Sequence, residues 1–321
     1  MTNKKVIPIF YACDDNFVKY TIVSLRSLID NANKNRQYEV YVLNSNISDC
    51  MKEETYKLKT KNVNVTFVDV KDQLERIGKR LPLRDYYSKT TYFRMFIAEM
   101  FPEYDKAVYI DSDTVVTGDV SELFDTELGV NYVGACHEQV MCQTEVFGNY
   151  TEKVMGINRY NYFNAGVLLI NTKKFRENNV FEKFLKLLNE YDFVVTQDQD
   201  YLNVICHNKV LWLDQGWNLE VYGKLPVKEN CAKIIHYIMV SKPWHYHDCK
   251  MKEYFWKYAE KTSVCALILD ELNSYTDEKR TKDMLSCTRL SETARKESEK
   301  DDRYINRIYR RWLNVSTARF R

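Results

Sequence analysis

Glycine is scarce in this sequence: the 321 residues include only nine glycines, and none belongs to a glycine-rich loop. The patterns Gly-x-Gly-x-x-Gly and Gly-x-x-x-x-Gly-Lys-Ser/Thr are both missing. This excludes the two loops that most often hold a diphosphate on backbone amides. If the chain binds a nucleotide diphosphate, other groups must hold it, and a metal ion with a lysine is the physical alternative.

An excess of charge, long hydrophobic runs and paired cysteine spacings are also missing. The net charge of +2 gives no support to nucleic-acid binding. No apolar stretch approaches the roughly 20 residues of a membrane span, and the first apolar run is too short for a signal peptide. The nine cysteines include no Cys-x-x-Cys pair, as in a reducing compartment. We therefore expect a cytoplasmic protein.

Apolar runs alternate with helical patterns from the start of the chain. The first strand and helix candidates are Val6–Tyr11, Phe17–Asn33, Tyr38–Leu43, Ile47–Thr60 and Val63–Val68. This rhythm predicts an α/β fold with a mostly parallel, doubly wound sheet. Further helix candidates are Thr90–Phe101, Phe175–Tyr191, Asp198–His207 and Met251–Tyr275, and further strand candidates are Ala107–Ile110, Tyr132–Cys136, Gly166–Ile170, Val210–Leu213 and Lys233–Tyr237.

Two segments fit neither pattern. Glu138–Tyr160 lacks clean periodicity, which predicts a lid or an acceptor-side loop. The charge-dense segment Thr276–Asp302 predicts a solvated helix or a linker. We therefore expect a main domain over residues 1–248, a charged helical extension over 249–302 and a tail over 303–321. We expect acceptor contacts from Glu138–Tyr160 and from the carboxyl-terminal region.

The tail, Arg303–Arg321, contains six arginines and no acidic residue. On a helical wheel, one side carries Tyr304, Ile305, Ile308, Tyr309, Trp312 and Leu313, and the other carries Arg303, Arg307, Arg310 and Arg311. This pattern is typical of a helix lying on an anionic membrane surface, where each arginine contributes about 1 kcal/mol. The alternative is a helix packed on the protein's own core with its basic face in solvent.

Two acids follow the buried run Ala107–Ile110. Asp111 and Asp113 are two residues apart, at the carboxyl end of a predicted strand. If both turn toward one crevice, their hard oxygen atoms form half a site for Mg²⁺ or Mn²⁺. Taken alone, an Asp-x-Asp pair is also common in turns, where aspartate bonds to nearby backbone.

Four other segments carry polar groups at strand or helix ends. Phe10–Asn16 ends the first strand, where ligands of open α/β sheets bind, although Asp14 or Asp15 can equally cap a helix. In Tyr162–Asn171, Asn164 precedes a small Ala-Gly pair that allows close approach to the backbone. Thr196–Asp200 suits sugar hydroxyls or a helix N-terminus. In Ile234–Trp244, His236 can supply a nitrogen ligand and Lys242 can meet a phosphate.

Together, these segments resemble glycosyltransferase family 8, in particular the bacterial lipooligosaccharide galactosyltransferases and related lipopolysaccharide glycosyltransferases. The resemblance covers about Ile7–Trp244, with five motifs in the family's order and spacing, and the basic aromatic tail matches as well. It implies a GT-A fold, in which two Rossmann-like halves abut around one sheet. It also implies a retaining, Mn²⁺-dependent transfer of galactose or glucose from a UDP-sugar to a saccharide or glycolipid acceptor at the cytoplasmic face of the membrane.

The resemblance also implies roles for individual residues. Asp111, Asp113 and His236 would bind Mn²⁺, with Mg²⁺ as the alternative ion. The donor-binding residues that it implies are Ala12, Cys13, Asp14, Asn16, Arg94, Asp111, Ser112, Asn164, Asp198, Gln199, Met239 and Lys242. Of these, Ala12, Asp14 and Asn16 would lie along uridine and Ser112 near the ribose. Arg94, Asn164, Asp198 and Gln199 would lie near the sugar, and Lys242 near the diphosphate.

For catalysis, the resemblance places the Gln199 amide oxygen against the β face of the sugar. Since glutamine is a poor nucleophile, we favour front-face attack by the acceptor hydroxyl. Asp200 is the nearby acid that a double displacement would need. One departure concerns Met239, which replaces a glycine usual in the family, and a methionine there would be strained if the backbone requires a positive φ.

Other functions stay open. Metal-dependent nucleotide-sugar hydrolases and nucleotidyltransferases also use acids and a divalent ion, although the latter usually have a glycine-rich basic loop that Phe10–Asn16 lacks. A degenerate module that binds UDP or a sugar without turnover would agree with the departure at Met239. Self-glucosylation of a tyrosine is a fourth hypothesis.

Overall fold

The computed structural model describes residues 6–77, 81 and 89–318, with side chains up to Trp312. Its strands are β1 (Ile7–Ala12), β2 (Tyr38–Asn44), β3 (Val63–Asp69), β4 (Ala107–Ile110), β5 (Thr114–Val116), β6 (Val133–Ala135), β7 (Val167–Ile170), β8 (Val210–Trp212), β9 (Leu219–Glu220) and β10 (Ile234–His236). Its α-helices are α1 (Val18–Asn31), α2 (Asp49–Tyr56), α3 (Lys71–Ile77), α4 (Ile97–Met100), α5 (Val120–Asp125), α6 (Gln139–Gln143), α7 (Glu145–Tyr150), α8 (Thr172–Glu177), α9 (Val180–Glu190), α10 (Asp198–Ile205), α11 (Lys252–Ala259), α12 (Cys265–Asn273), α13 (Asp277–Glu299) and α14 (Tyr304–Ala318).

A seven-stranded sheet with the order β3-β2-β1-β4-β7-β6-β8 forms the centre of the fold. Strands β3, β2, β1 and β4 are parallel, β7 is antiparallel to both β4 and β6, and β8 is parallel to β6. β1 and β4 are buried along their whole length because helices cover both faces, and their sequences are accordingly almost continuous apolar runs. The predicted α/β fold with a mostly parallel sheet is confirmed.

A second, three-stranded sheet brings distant segments to the end of β4. In it, β10 lies between β5, to which it is antiparallel, and β9, to which it is parallel. The register pairs His236 with Thr114, the residue after Asp113. Strand pairing therefore places the end of β10 beside the two acids that follow β4.

The structure corrects one sequence prediction of secondary structure and refines three others. The segment predicted as a lid or loop, Glu138–Tyr160, is mostly helical: α6 and α7 are followed by a π-helical turn at Thr151–Met155. The helix predicted over Thr90–Phe101 is a 3₁₀ helix, Lys89–Phe96, that runs into α4. The helical prediction over Met251–Tyr275 is confirmed, and the segment forms two helices, α11 and α12.

The fourth of these predictions concerns the charge-dense segment Thr276–Asp302, for which the sequence left a solvated helix and a linker open. It forms the 23-residue helix α13, which packs against α7. The helix alternative is therefore confirmed, although the helix is not solvated all round, since Leu290 and Ala294 are buried on its inner side. Tyr246 and Tyr275 both donate hydrogen bonds to Asp283 near its first turns, at 2.8 and 2.7 Å.

The tail forms helix α14, and the first turn of this helix packs against the rest of the protein. Tyr304 makes edge contacts with the rings of Tyr191 and Phe193. Arg311 pairs with the Glu190 carboxylate at 2.9 Å. The packing of the first turn agrees with the alternative that the helix lies on the protein's own core, whereas Tyr309 and Trp312 farther along are 62% and 64% exposed. The Leu313 side chain and the residues Arg319 and Arg321 lie outside the described part.

Candidate active site

Two carboxylates and an imidazole meet where the two sheets adjoin. The His236 Nε2 atom lies 3.2 Å from Asp113 Oδ1 and 4.0 Å from Asp111 Oδ2. One ligand atom from each of the three side chains can be chosen so that all lie within 4.8 Å of one another. The structure therefore brings together the three residues that the sequence analysis grouped as a metal site.

Each aspartate has one oxygen held by protein groups, and its other oxygen faces His236. Asp111 Oδ1 accepts hydrogen bonds from Tyr109 at 2.7 Å and from Arg94 at 3.1 Å. Asp113 Oδ2 accepts one from Lys242 at 2.6 Å. This arrangement fixes both carboxylates and points Asp111 Oδ2 and Asp113 Oδ1 toward the same small space beside the imidazole.

The chemistry of these ligand atoms fits a divalent cation. Carboxylate oxygens suit Mg²⁺ and Mn²⁺, and imidazole suits transition metals. Two neighbouring ligands of an octahedral ion, each at about 2.1 Å, lie about 3 Å apart, close to the separation of Nε2 and Asp113 Oδ1. The three residues therefore match such an ion in ligand type, and the pair His236 and Asp113 also matches it in spacing.

Burial and charge affect the two acids differently. Burial raises the pKa of Asp111, and the opposing charge of Arg94 only partly offsets this. Burial would also raise the pKa of Asp113, but the charge of Lys242 is the first of the effects that outweigh it and hold that pKa well below its usual range. Asp113 is therefore held as an anion by the cation beside it.

Arg94 connects the acidic pair to the start of α10. Its side chain is 5% exposed, and Nε lies 3.0 Å from Asp198 Oδ2 while donating to the Thr91 carbonyl at 2.9 Å. Burial raises the pKa of Asp198 to about 7, despite the nearby Arg94 charge. Arg94 thus shares its positive charge between Asp111 and Asp198.

Beside the metal-type cluster, amide side chains converge on Glu138. Asn164 and Gln199 donate hydrogen bonds to the same oxygen, Glu138 Oε2, at 2.7 and 2.9 Å. Gln199 Oε1 in turn accepts from the Ala165 N–H at 2.8 Å. Both of its amide atoms therefore have protein partners, which fixes the orientation of Gln199 at the cavity wall.

A cavity of about 320 Å³ joins these groups. The sequence-predicted site residues that line it are Ala12, Arg94, Asp111, Ser112, Asp113, Asn164, Asp198, Gln199, His236, Met239 and Lys242. On another part of its wall lie Asp283, Ser286, Cys287 and Leu290, which belong to α13. The long C-terminal helix thus contributes to the same cavity as the acidic pair.

Four predicted site residues are not among those that line the cavity. Cys13 is buried, and burial raises the pKa of its thiol to about 12. Asp14 accepts hydrogen bonds from the N–H groups of Asn16 and Phe17, in the turn that leads into α1, so its carboxylate has a structural role there. Asn16 is exposed in the same turn.

Asp200, the fourth of these residues, is fully buried behind the cavity wall. Its carboxylate accepts hydrogen bonds from Tyr150 at 2.9 Å, Tyr162 at 2.7 Å and the Thr196 N–H at 3.0 Å. Burial raises its pKa, and the three donors oppose that shift. Asp200, on α10, therefore binds α7 through Tyr150 and does not reach the cavity.

Met239 has the backbone conformation that the sequence analysis considered. Its φ is +57°, in the left-handed region, where a side chain costs about 1–2 kcal/mol relative to glycine. It follows the end of β10 and lines the cavity. This segment therefore keeps a glycine-like backbone while carrying a methionine.

The sequence analysis expected acceptor contacts from Glu138–Tyr160 and the carboxyl-terminal region, but it singled out neither Glu138 nor any α13 residue as part of the site. Glu138 lies in a segment predicted as a loop, and its partners, Asn164 and Gln199, are distant in sequence. A carboxylate just after a strand was the available signal, since β6 ends at Ala135. The α13 residues carry no motif that marks them.

One region of the chain matches a known protein family. Residues 8–248 match the model of glycosyl transferase family 8. A Haemophilus influenzae protein assigned as a glycosyltransferase is 31% identical over 247 residues, which are 74% of this chain and 72% of that protein. The lipopolysaccharide 1,3-galactosyltransferase of Salmonella typhimurium is 27% identical over 249 residues, again 74% of this chain and 72% of that protein.

Solved structures share the architecture. The bifunctional glycosyltransferase WbbM superposes with a TM-score of 0.75 and 27% identity over 85% of this chain, which spans only 53% of the WbbM chain. The galactosyltransferase LgtC, solved with donor and acceptor sugar analogues, superposes with a TM-score of 0.66 and 27% identity over 86% of this chain and 100% of its own. The GT-A type fold expected from the sequence is therefore confirmed.

Proposed function

This chain belongs to glycosyl transferase family 8, and on that premise we propose that it moves galactose or glucose from a UDP-sugar to a saccharide acceptor, with retention of the anomeric configuration. The observation that carries the proposal is the convergence of Asp111, Asp113 and His236 within 4.8 Å on the wall of one cavity. These residues would hold Mn²⁺, with Mg²⁺ as the alternative. The chemistry that such an ion supplies is neutralisation of the negative charge on the departing diphosphate.

A positively charged side chain of the protein would also help to neutralise the diphosphate. The Lys242 ammonium lies 2.6 Å from Asp113 Oδ2. Its side chain lines the cavity and is 12% exposed, so the ammonium can turn toward a phosphate oxygen. Arg94 is held deeper, by Asp111 and Asp198. We assign Lys242 to the diphosphate, and Arg94 to the orientation of the acids and the donor sugar.

The proposed reaction centre is Gln199. Its amide is fixed by Glu138 and by the Ala165 N–H, so it presents a defined edge to the cavity. We favour front-face attack, in which the acceptor hydroxyl enters on the side that the diphosphate leaves and the departing phosphate takes its proton. The carboxylate of Asp200 is buried and accepts three hydrogen bonds, so it is poorly placed to act as a nucleophile. This supports front-face attack over a double displacement.

The acceptor would meet the wall that α13 contributes. Ser286, Cys287 and Leu290 line the cavity beyond residue 248, where the family match ends. We therefore propose residues 1–248 as the transferase domain, 249–302 as an extension that shapes the acceptor side, and 303–321 as a separate tail. A cell-surface glycan or glycolipid is the proposed acceptor class.

We further propose that the tail rests on the anionic inner face of the membrane, with the enzyme at the cytoplasmic side. The exposed rings of Tyr309 and Trp312, beside Arg310 on the same helix, support this. Among the helices that the structure describes, we find none with the length and hydropathy needed to span a bilayer. Cosedimentation with phosphatidylglycerol vesicles, but not with phosphatidylcholine vesicles, would test the tail.

A donor screen tests the proposed function. UDP release would be measured for UDP-sugars with and without Mn²⁺ and saccharide acceptors, followed by linkage analysis of the product. We expect UDP-galactose or UDP-glucose to be consumed only with the ion, faster with an acceptor, and to give an α-linked product. UDP release that no acceptor accelerates would favour a hydrolase. If the protein binds UDP and Mn²⁺ but converts no UDP-sugar, a degenerate module would be favoured, in agreement with the strained backbone of Met239.

A further inference from the structure

A continuous chain of hydrogen bonds begins at the side of His236 that faces away from Asp111 and Asp113. His236 Nδ1 lies 3.0 Å from Asn218 Oδ1, and Asn218 Nδ2 lies 2.8 Å from Asn164 Oδ1. Asn164 then donates to Glu138, which also accepts from Gln199. These five side chains connect the metal-type cluster to the proposed reaction centre by direct hydrogen bonds, and four of the five line the cavity.

One backbone N–H group fixes the direction of these bonds. The Gly166 N–H can only donate, and it lies 2.8 Å from the Asn164 atom that faces Asn218, so that atom is the carbonyl oxygen Oδ1. Asn218 must therefore direct its NH₂ group to Asn164 and its oxygen to His236.

The tautomer of His236 follows from this order. Because Asn218 Oδ1 can only accept, Nδ1 of His236 carries the proton that makes the 3.0 Å bond. The neutral ring then has its lone pair on Nε2, the atom that faces Asp111 and Asp113. The amide thus selects the form of the imidazole that can bind a metal ion through Nε2.

The position of Asn218 shows how it can act without touching a substrate. It ends a short 3₁₀ helix, Gln215–Asn218, directly before β9, which lies parallel to β10. Its side chain is fully buried and is not among the groups that line the cavity. Any effect of Asn218 on the reaction must therefore pass through His236 or Asn164.

We propose that Asn218 is a positioning residue, which holds His236 as the Nδ1–H tautomer for metal binding and ties that ring to the Asn164–Glu138–Gln199 group at the donor-sugar side. The proposal rests on the proposed function for the identity of the bound ion. It assigns a role to the only amide that bonds to both His236 and Asn164 among the hydrogen bonds of the described residues.

Two substitutions separate the two contacts. In Asn218→Asp, a carboxylate oxygen still accepts from Nδ1–H, but no group donates to Asn164. In Asn218→Ala, both bonds are lost. The control is Asn31→Ala, which removes a half-buried amide that donates to Ser27, Val116 and Tyr258 at 2.8–3.1 Å, away from the cavity.

The first readout is Mn²⁺ affinity by isothermal titration calorimetry. We expect Asn218→Ala to weaken binding 10–100-fold, the range seen when partners of metal-bound histidines are removed. Asn218→Asp should stay within about threefold of the wild type and lose turnover, and Asn31→Ala should keep wild-type affinity. Wild-type affinity in Asn218→Ala, or a loss in Asn218→Asp equal to that in Asn218→Ala, would overturn the proposal.

The second readout works on the wild-type protein and needs no activity. Because the chain has only five histidines, long-range ¹⁵N–¹H correlation spectra at pH 8 with Mg²⁺ can assign the His236 ring. We expect a proton on Nδ1 and none on Nε2, and a proton on Nε2 would overturn the proposal. A wild-type chain that has the Nδ1–H tautomer but binds no Mn²⁺ would instead contradict the proposed function.

Discussion

The imidazole of His236 occupies the space that a side chain on Gly166 would need. A Cβ atom on Gly166 would lie 2.2 Å from His236 Cε1, closer than such contacts occur. The same glycine accepts a 2.7 Å hydrogen bond from the Asp111 N–H through its carbonyl oxygen. Gly166 is thus the backbone position around which the acid and the imidazole are arranged.

Gly166→Ala should therefore displace His236 and weaken Mn²⁺ binding by at least about tenfold, since the ring cannot move without losing its bond to Asn218. Calorimetric titration with Mn²⁺ measures this. The matched control is Gly129→Ala, at an exposed position with φ +55° and open space around it. The control should lose about 1–2 kcal/mol of stability and bind the ion normally. Undiminished Mn²⁺ affinity in Gly166→Ala would contradict the arrangement.

Gln199 and Asp200 are adjacent in sequence but should respond differently to substitution. Gln199→Ala removes the fixed amide at the cavity wall, and we expect turnover to fall about 10²–10³-fold, as for the loss of one preorganised polar group at a reaction centre. UDP binding should survive. Initial rates of UDP release and UDP calorimetry measure the two effects, and full turnover in Gln199→Ala would reject its place at the reaction centre.

Asp200→Asn should instead reduce stability. It would weaken the bonds from Tyr150, Tyr162 and the Thr196 N–H, at a cost of about 1–3 kcal/mol in the free energy of unfolding. The folded fraction should keep turnover within about tenfold of the wild type. Denaturant titration and rates corrected for the folded fraction test this, and total loss of turnover in a stable variant would restore the nucleophile hypothesis.

The positive φ of Met239 predicts an unusual order of stabilities. Met239→Gly relieves about 1–2 kcal/mol of strain but loses side-chain packing and orders a more flexible residue, so its stability should stay within about 1 kcal/mol of the wild type. Met239→Ile should be less stable than either, because a β-branched residue tolerates this conformation poorly. Thermal unfolding of the three proteins decides this, and a Met239→Ile variant as stable as the wild type would contradict it.

Glu271 on α12 should make docking of the C-terminal extension depend on pH. Burial would raise its pKa, but hydrogen bonds from His245, Lys19 and Tyr20 outweigh burial and lower the pKa to about 2, from 4.5. Because the folded pKa is the lower one, the carboxylate stabilises the fold fully above about pH 4.5, and this contribution is lost as the pH falls toward 2.

Glu271→Gln should accordingly lose about 1–3 kcal/mol at pH 7 and approach the wild type near pH 2–3. Urea titrations across this pH range provide the measurement. Glu278→Gln on α13, which removes an exposed partner of Lys282, is the control and should change little at any pH. A Glu271→Gln deficit that is the same at pH 7 and pH 3 would count against the assigned pKa.

The alternation of apolar runs and helical patterns predicted the sheet, and the position of Asp111 and Asp113 after an apolar strand predicted half of a metal site. Their grouping with His236 came from the resemblance to the family. The sequence pattern failed over Glu138–Tyr160, where α6 and α7 have five and six residues, too short to display a helical period. Asn218 could not be predicted, because its role depends on the pairing of β9 with β10, which no local pattern reveals.

The most direct test of the metal-centred account is a crystal structure of the protein with Mn²⁺ and UDP, with the ion located by its anomalous scattering. We expect one peak bounded by Asp111 Oδ2, Asp113 Oδ1 and His236 Nε2, with UDP on the cavity side of the ion. A peak away from these three atoms, or UDP bound in the cavity with no ion beside His236, would contradict the account.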